Sequence, residues 1–162
     1  MKIIAHRGLL KGPNQNRDNN FNDIKECFDR GFDVEMDIRY DEKFDMFNIG
    51  HDKTNFQGSL HSLFEHKDKL WIHTKDIKTF EYLRENDKKN ELNYFYHTNE
   101  DFVLTSQGHI WAYPGKFVKN SVWLFPEREL DKLNYDMIIN KLSNHIGVCT
   151  DYPLIMKHII ES

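Results

Sequence analysis

Three short motifs with reactive side chains follow one another along the first third of the chain: His6-Arg7-Gly8, Glu35-Met36-Asp37 and His51-Asp52, each at the end of a short apolar run. They gather two imidazoles, a guanidinium and two carboxylates near strand ends. Arginine neutralises a phosphate through its bidentate fork and histidine moves a proton near neutral pH, so His6 beside Arg7 suits phosphodiester cleavage. His51 adds a second imidazole, and two imidazoles can divide the labour of base and acid. The chain has nine histidines, so any one of them taken alone reads first as structural. In Val34-Glu35-Met36-Asp37-Ile38 the apolar residues take one strand face and the carboxylates the other, because side chains alternate with period two. Glu35 and Asp37 can then share one cation, and Mg²⁺ or Ca²⁺ favours such oxygen ligands together with a substrate phosphate. The plainer reading of the same residues is a half-buried strand with a solvated outer face.

The elements that must position these groups are read from apolar, β-branched and aromatic runs. Strands are expected at 3–5, 33–39, 46–49, 70–74, 93–97, 102–104, 110–113, 122–125 and 147–150. Helical spacing joins Phe21, Ile24 and Phe28 with Gly31 as a stop, then Ile77, Phe80 and Leu83, then Leu130, Leu133, Met137 and Ile138. A last helix is expected from Pro153, with Asp151 as its capping residue and Ile155 and Ile159 on one face. The two ends of the chain read βα. The middle does not, since a parallel crossover needs about a dozen residues and the gaps around Asn99 and Ser106 are much shorter. A full (β/α)8 barrel takes roughly 250 residues, so the fold class expected here is α/β, a shortened, irregular TIM-barrel-like (β/α) barrel with several helices missing.

Bulk properties narrow the function. The 162 residues suffice for one domain, 1–162, and no repeat or Pro/Gly-rich linker divides it. With 30% charged and 14% aromatic residues the chain is too aromatic for disorder and too broken by charge for a membrane span. A formal charge of -4 with interspersed signs argues against nucleic acid as a partner. The N-terminal apolar run ends at His6, too short for a secretory signal, and a cytoplasmic location is the default expectation. Cys27 and Cys149 have no CxxC spacing and read as buried thiols.

These motifs, in this order, resemble the glycerophosphodiester phosphodiesterases of the phospholipase C-like phosphodiesterase superfamily. That family carries an HRG motif after its first strand, Glu-x-Asp on the second, then a His-Asp pair, and often a Thr-Asp-Tyr-Pro-like segment near its C-terminus. Here the last stands unchanged as Thr150-Asp151-Tyr152-Pro153. The resemblance implies His6 and His51 as the catalytic acid and base, Arg7 as a phosphate ligand, and Glu35 and Asp37 as metal ligands. Asp18-Asn19-Asn20 is similar to the family's Glu-Asn-Thr segment, with aspartate for glutamate and no proline before it. The sharper departure lies at Leu70-Trp71-Ile72-His73-Thr74-Lys75, where the family's third metal-ligating glutamate is replaced by His73. Lys75 is kept on the same strand face and could reach a phosphate oxygen. A site of one imidazole and two carboxylates suits Mn²⁺, Fe²⁺, Co²⁺ or Zn²⁺ better than an all-oxygen site does; the alternative is that His73 no longer ligates.

Trp111 and Tyr113, against a sugar or polyol, and Lys116 or Glu127, on hydroxyls, are further pocket candidates; core aromatics and turn chemistry are the alternative, preferred for Trp123. The expected function is a metal-dependent phosphodiesterase hydrolysing a small polar glycerophosphodiester by histidine acid–base catalysis. The alternatives are an inactive barrel domain binding a phosphorylated glycan or polyol, and a lyase giving a cyclic phosphate. Missing helices would expose apolar surface, which a homodimer would cover.

Overall fold

The computed structural model describes residues 1–52 and 56–162. Along the chain run β1 (Lys2–His6), α1 (Phe21–Asp29), β2 (Asp33–Asp41), β3 (Met46–Ile49), β4 (Phe56–Gly58), α2 (Leu60–Glu65), β5 (Leu70–Thr74) and α3 (Ile77–Asn86). The second half holds β6 (Tyr94–Phe95), β7 (Phe102–Leu104), β8 (Ile110–Ala112), β9 (Ser121–Leu124), α4 (Tyr135–Ser143), β10 (His145–Thr150) and α5 (Pro153–Glu161). The result is a mixed α/β fold with one ten-stranded sheet. No helix among the described residues is long and apolar enough to cross a membrane.

The strands pair in the order β6-β5-β2-β1-β10-β9-β8-β7, with β3 and β4 added antiparallel along the second half of β2. Along this path pairing is parallel from β6 to β8, and β7 is added antiparallel, as a hairpin with β8. No ladder joins β6 to β7, yet the ends of the path lie close together. Phe95 of β6 and Trp111 of β8 have ring centroids 4.6 Å apart, and the Ser106 N–H donates to the Tyr94 carbonyl at 2.8 Å. The sheet therefore curves strongly. One apolar cluster draws Ile4, Trp71, Phe95, Trp111, Val122, Leu124 and Cys149 from six strands onto the inner face. The opposite face packs Val34, Met36, Ile38 and Ile72 against α1, α2 and α3, and Trp123 and Val148 against α4 and α5. Each such buried aliphatic side chain contributes about 1.5–3 kcal/mol, so the period-two alternation of β2 is enforced by its outer face. That leaves Glu35 and Asp37 pointing inward.

Several sequence expectations are revised. β4 and α2 have no counterpart among the expected elements: α2 has only six residues, but Ser59 and Ser62 close a reciprocal capping box that stabilises so short a helix by about 1 kcal/mol. The strand expected at 93–97 pairs only over β6. The single helix expected from Leu130 breaks, because Leu130–Lys132 forms a 3₁₀ turn and Asn134 then caps α4 through Met137 N–H at 2.9 Å. Between β6 and β9 the described chain contains no α-helix. Asp151 does not cap α5, whose preceding residue is Tyr152 and whose first turn begins with Pro153. Cys27 and Cys149 are buried free thiols, and Trp123 is core, as expected.

Candidate functional site

Parallel register builds the site. His6 lies level with Glu35, Glu35 with Trp71, and Asp37 with His73. Because the strand faces alternate in step, His6, Glu35, Asp37 and His73 emerge on one side. They line a cleft of about 350 Å³ together with Arg7, His51, Lys75, His97, Glu100, Trp111, Tyr113, Phe125 and Arg128. That volume sits at the small end of ordinary ligand sites, roughly 300–1,000 Å³. Glu35 and Asp37 are 2% and 1% exposed, so the solvated-face reading of β2 is overturned.

Glu35, Asp37 and His73 each bring a ligand-capable atom within 4.8 Å of the others, a buried group that could hold a metal ion. His73 Nδ1 stands 3.1 Å from Asp37 Oδ1 and 3.5 Å from Glu35 Oε1. Lys75 Nζ lies 3.3 Å from the same Asp37 oxygen, and Arg7 Nε lies 3.3 Å from Asp37 Oδ2. Desolvating a carboxylate this deeply costs several kcal/mol, but these cations outweigh the burial. Despite burial, the close His73 imidazole and the charges of Lys75 and Arg7 hold Asp37 far below the usual carboxylate range. Burial opposes a charged His73, yet Asp37 and Glu35 raise its pKa. Proton and metal thus compete for Nδ1. Asp37 Oδ1 is buried without a well-aligned hydrogen bond; a divalent cation would satisfy it, so the donor set fits a metal.

His6 is held by a partner 145 residues away, the Asp151 carboxylate, 2.7 Å from His6 Nδ1. This leaves Nε2 free, 3.9 Å from Glu35 Oε2. Burial pulls the His6 pKa down, but the Asp151 hydrogen bond and the charges of Glu35 and Asp151 raise it overall. His51 follows the same design in a more open setting: Asp52 lies 2.8 Å from its Nδ1. The Gly50-His51 backbone is pinned by Arg39, which donates to the carbonyls of Gly50 at 2.9 Å and His51 at 2.8 Å.

The turn after β1 explains the remaining polar residues. Arg7 adopts a left-handed backbone (φ 53) and Gly8 follows with φ 70; a Cβ on Gly8 would stand 2.7 Å from Ile24 Cγ1, so glycine lets α1 pack against this turn. Asp18 accepts from Arg7 Nη1 at 2.9 Å. Asn19, fully buried, clamps Asp37 from both ends, accepting from its backbone N–H at 2.9 Å and donating to Oδ2 at 3.2 Å.

The sequence-derived candidates His6, Arg7, Glu35, Asp37, His51, His73, Lys75 and Trp111 thus share one cleft, with Trp111 4% exposed on its floor. Glu127 and Lys116 are placed elsewhere. Glu127 is engaged behind the site, accepting from Thr150 Oγ1 at 2.7 Å and from the Asp151 N–H at 3.1 Å, so it fixes the strand end that carries Asp151 and does not line the cleft. Lys116 pairs with Asp101 at 3.0 Å. Sequence reasoning missed Asp151, which it assigns to a helix cap, and Asn19, to which it gives no role. It also missed His97, whose ring stacks on His73 at 4.5 Å and 7°. His97 follows Phe95 by two residues, so strand alternation was the available signal. No protein-family model, curated protein or solved structure matches the chain.

Proposed function

We propose that this protein is a metal-dependent phosphodiesterase built on a shortened (β/α) barrel and acting on a small polar glycerophosphodiester-type substrate. The observation that carries this reading is the convergence, in one small cleft, of two carboxylate-held histidines, a buried Glu/Asp/His group and two cations. Three buried atoms of that cleft lack well-aligned partners, the Arg7 Nε donor, the Asp37 Oδ1 acceptor and His97 Nδ1. A phosphate oxygen suits the first and a cation the second.

Arg7 and Lys75 orient the phosphate and offset charge on its oxygens. A divalent cation held by Glu35, Asp37 and His73 would supply Lewis acidity to the same phosphoryl group; Mg²⁺ or Ca²⁺ would follow the family resemblance, while the imidazole favours Mn²⁺ or Zn²⁺. His6, whose pKa Asp151 and Glu35 raise against its burial, gives a proton from Nε2 to the departing alkoxide as that P–O bond breaks. His51 accepts the proton of the attacking oxygen, from water or from a neighbouring substrate hydroxyl, as the new P–O bond forms. Asp151 and Asp52 fix the tautomers of the two imidazoles.

Phosphorus NMR on a panel of glycerophosphodiesters, with metal-stripped protein and after restoring Mg²⁺, Ca²⁺, Mn²⁺ or Zn²⁺, tests this. Metal-dependent formation of a phosphomonoester is the expected result, and a cyclic phosphate would reassign the protein as a lyase. No turnover with any metal would overturn catalysis in favour of a domain that binds phosphorylated polyols.

A further inference from the structure

Arg128 differs from the other cations of the cleft. Arg7 is engaged by Asp18 and Asp37, and Lys75 by Asp37. The Arg128 guanidinium has no carboxylate partner among the described residues; it rests over the ring of Phe125, 4.1 Å from the centroid. Phe125 itself is held in the left-handed backbone region (φ 49, ψ 55), which a bulky residue rarely adopts. Its N–H donates to the Cys149 carbonyl at 2.8 Å, and its carbonyl accepts from the Arg128 N–H at 3.1 Å. The same ring meets His6 edge-on, centroids 4.8 Å apart at 90°. A strained residue thus forms a flat shelf between the acid His6 and an unpaired guanidinium. Strain of this kind persists where the surroundings hold a functional group in place. Stacking also limits the rotamers of a long side chain, so less entropy is lost when it takes a ligand.

The charges of the cleft point the same way. Its acids are Glu35, Asp37 and Glu100, and its permanent cations Arg7, Lys75 and Arg128. Glu100 is committed to its own loop, accepting from the N–H groups of Thr98 at 2.7 Å and Asn99 at 3.1 Å, and its pKa falls to about 2. Of the three permanent cations, Arg7 and Lys75 already face carboxylates, so Arg128 is the one whose charge no carboxylate among the described residues offsets.

We propose that Arg128 is a second anion-binding arm of the cleft, and that the preferred substrate carries, on the alcohol lying along the Phe125 shelf, an anionic group beyond the diester itself, such as a carboxylate or a second phosphate. This rests on the phosphodiesterase reading above, and the two can fail separately.

Glycerophosphoserine and glycerophosphoethanolamine differ by one carboxylate and serve as the probes. Binding is measured by calorimetry with Mn²⁺ present in a His6→Ala background, which slows turnover by about the 10²–10⁴-fold expected of an acid–base residue. Glycerophosphoserine should bind roughly tenfold tighter, as one charge-assisted contact provides. Adding Arg128→Gln should bring the two affinities within about twofold, and Arg128→Lys should retain part of the preference. Equal affinities in the parent, no binding of either probe, or a preference untouched by Arg128→Gln would each overturn the anion arm. Phosphorus NMR of both probes with unaltered protein reads hydrolysis separately. Turnover without preference would leave the phosphodiesterase reading standing and remove this one; an Arg128-dependent preference without turnover would do the reverse.

Discussion

Glu35, Asp37 and His73 on the β2–β5 side of the cleft are 2%, 1% and 8% exposed and bound into a net of ion pairs, whereas Tyr113 on the β8 side is 47% exposed and the Arg128 guanidinium has, among the described residues, no carboxylate partner and rests on an aromatic ring. The first wall stands on paired strands, where register fixes each side chain to within a fraction of a residue. The second is built from loop residues just beyond the strand ends: Tyr113 and Pro114 after β8, Phe125 and Arg128 after β9. Groups that could hold a metal must be preorganised, and strand positions serve this better than loops do. Groups that read the rest of a substrate tolerate loop variation. On the phosphodiesterase reading proposed above, the contrast assigns chemistry to the charged wall and selectivity to the aromatic one.

The strongest way to break this division is Asp37→Asn. It removes the charge that Arg7, Lys75 and His73 share, so Mn²⁺ binding by calorimetry should be lost and turnover should fall on the order of 10³-fold. Stability should drop by roughly 3–5 kcal/mol, because Lys75 loses its carboxylate partner and Arg7 and buried His73 each lose one of two. Unchanged Mn²⁺ affinity would remove the metal site from the proposal. Next, His6→Ala and His51→Ala should each lower kcat about 10²–10⁴-fold with the far-UV circular dichroism unchanged; activity retained in both would sink the acid–base assignment.

On the aromatic side the expected effects separate within the wall. Trp111 packs on Phe95 at 4.6 Å and on Trp71 at 5.8 Å, so Trp111→Ala should cost about 3–5 kcal/mol in urea unfolding. Tyr113→Ala should change stability by no more than about 0.5 kcal/mol and act on KM rather than kcat. A large stability loss at Tyr113 would show that this wall is core rather than reader.

The smallest effect concerns pH. His6 and His73 have folded pKa values raised above the usual 6.5, so the stability they contribute is fully present below 6.5 and is lost as pH rises through the folded values. Asp37 acts with the opposite sign: its contribution is present above the usual 3.8 and is lost only as pH falls toward its depressed folded value. The metal-free protein should therefore melt highest between these limits and lose a few degrees above them. Mn²⁺ should reverse the alkaline loss, since it takes the deprotonated His73; a Tm that rises with pH in the metal-free protein would contradict the charge network.

Much of the charged wall was legible in the sequence because it depends on local rules. Val34, Met36 and Ile38 announce the buried face of β2 and so place Glu35 and Asp37 together, and Leu70, Ile72 and Thr74 do the same for His73 and Lys75. The short elements were harder. α2 depends on a two-serine capping box, β4 on pairing with β3, and the helix pattern after Leu130 is interrupted by a 3₁₀ turn that the apolar spacing did not reveal.

The sequence alone determined which groups share a strand face, where glycine must let the chain turn after His6, and which chemistry those groups can perform. Tertiary structure decided which faces meet. Only the pairing of β1 with β10 brings Asp151 to His6, and only the folded turn sets Asn19 against Asp37. It also turned Glu127 away from the cleft and laid Arg128 over Phe125. Alternation is a property of neighbouring residues and can be read along one chain, whereas these contacts depend on sheet register and curvature, set by packing among strands distant in sequence.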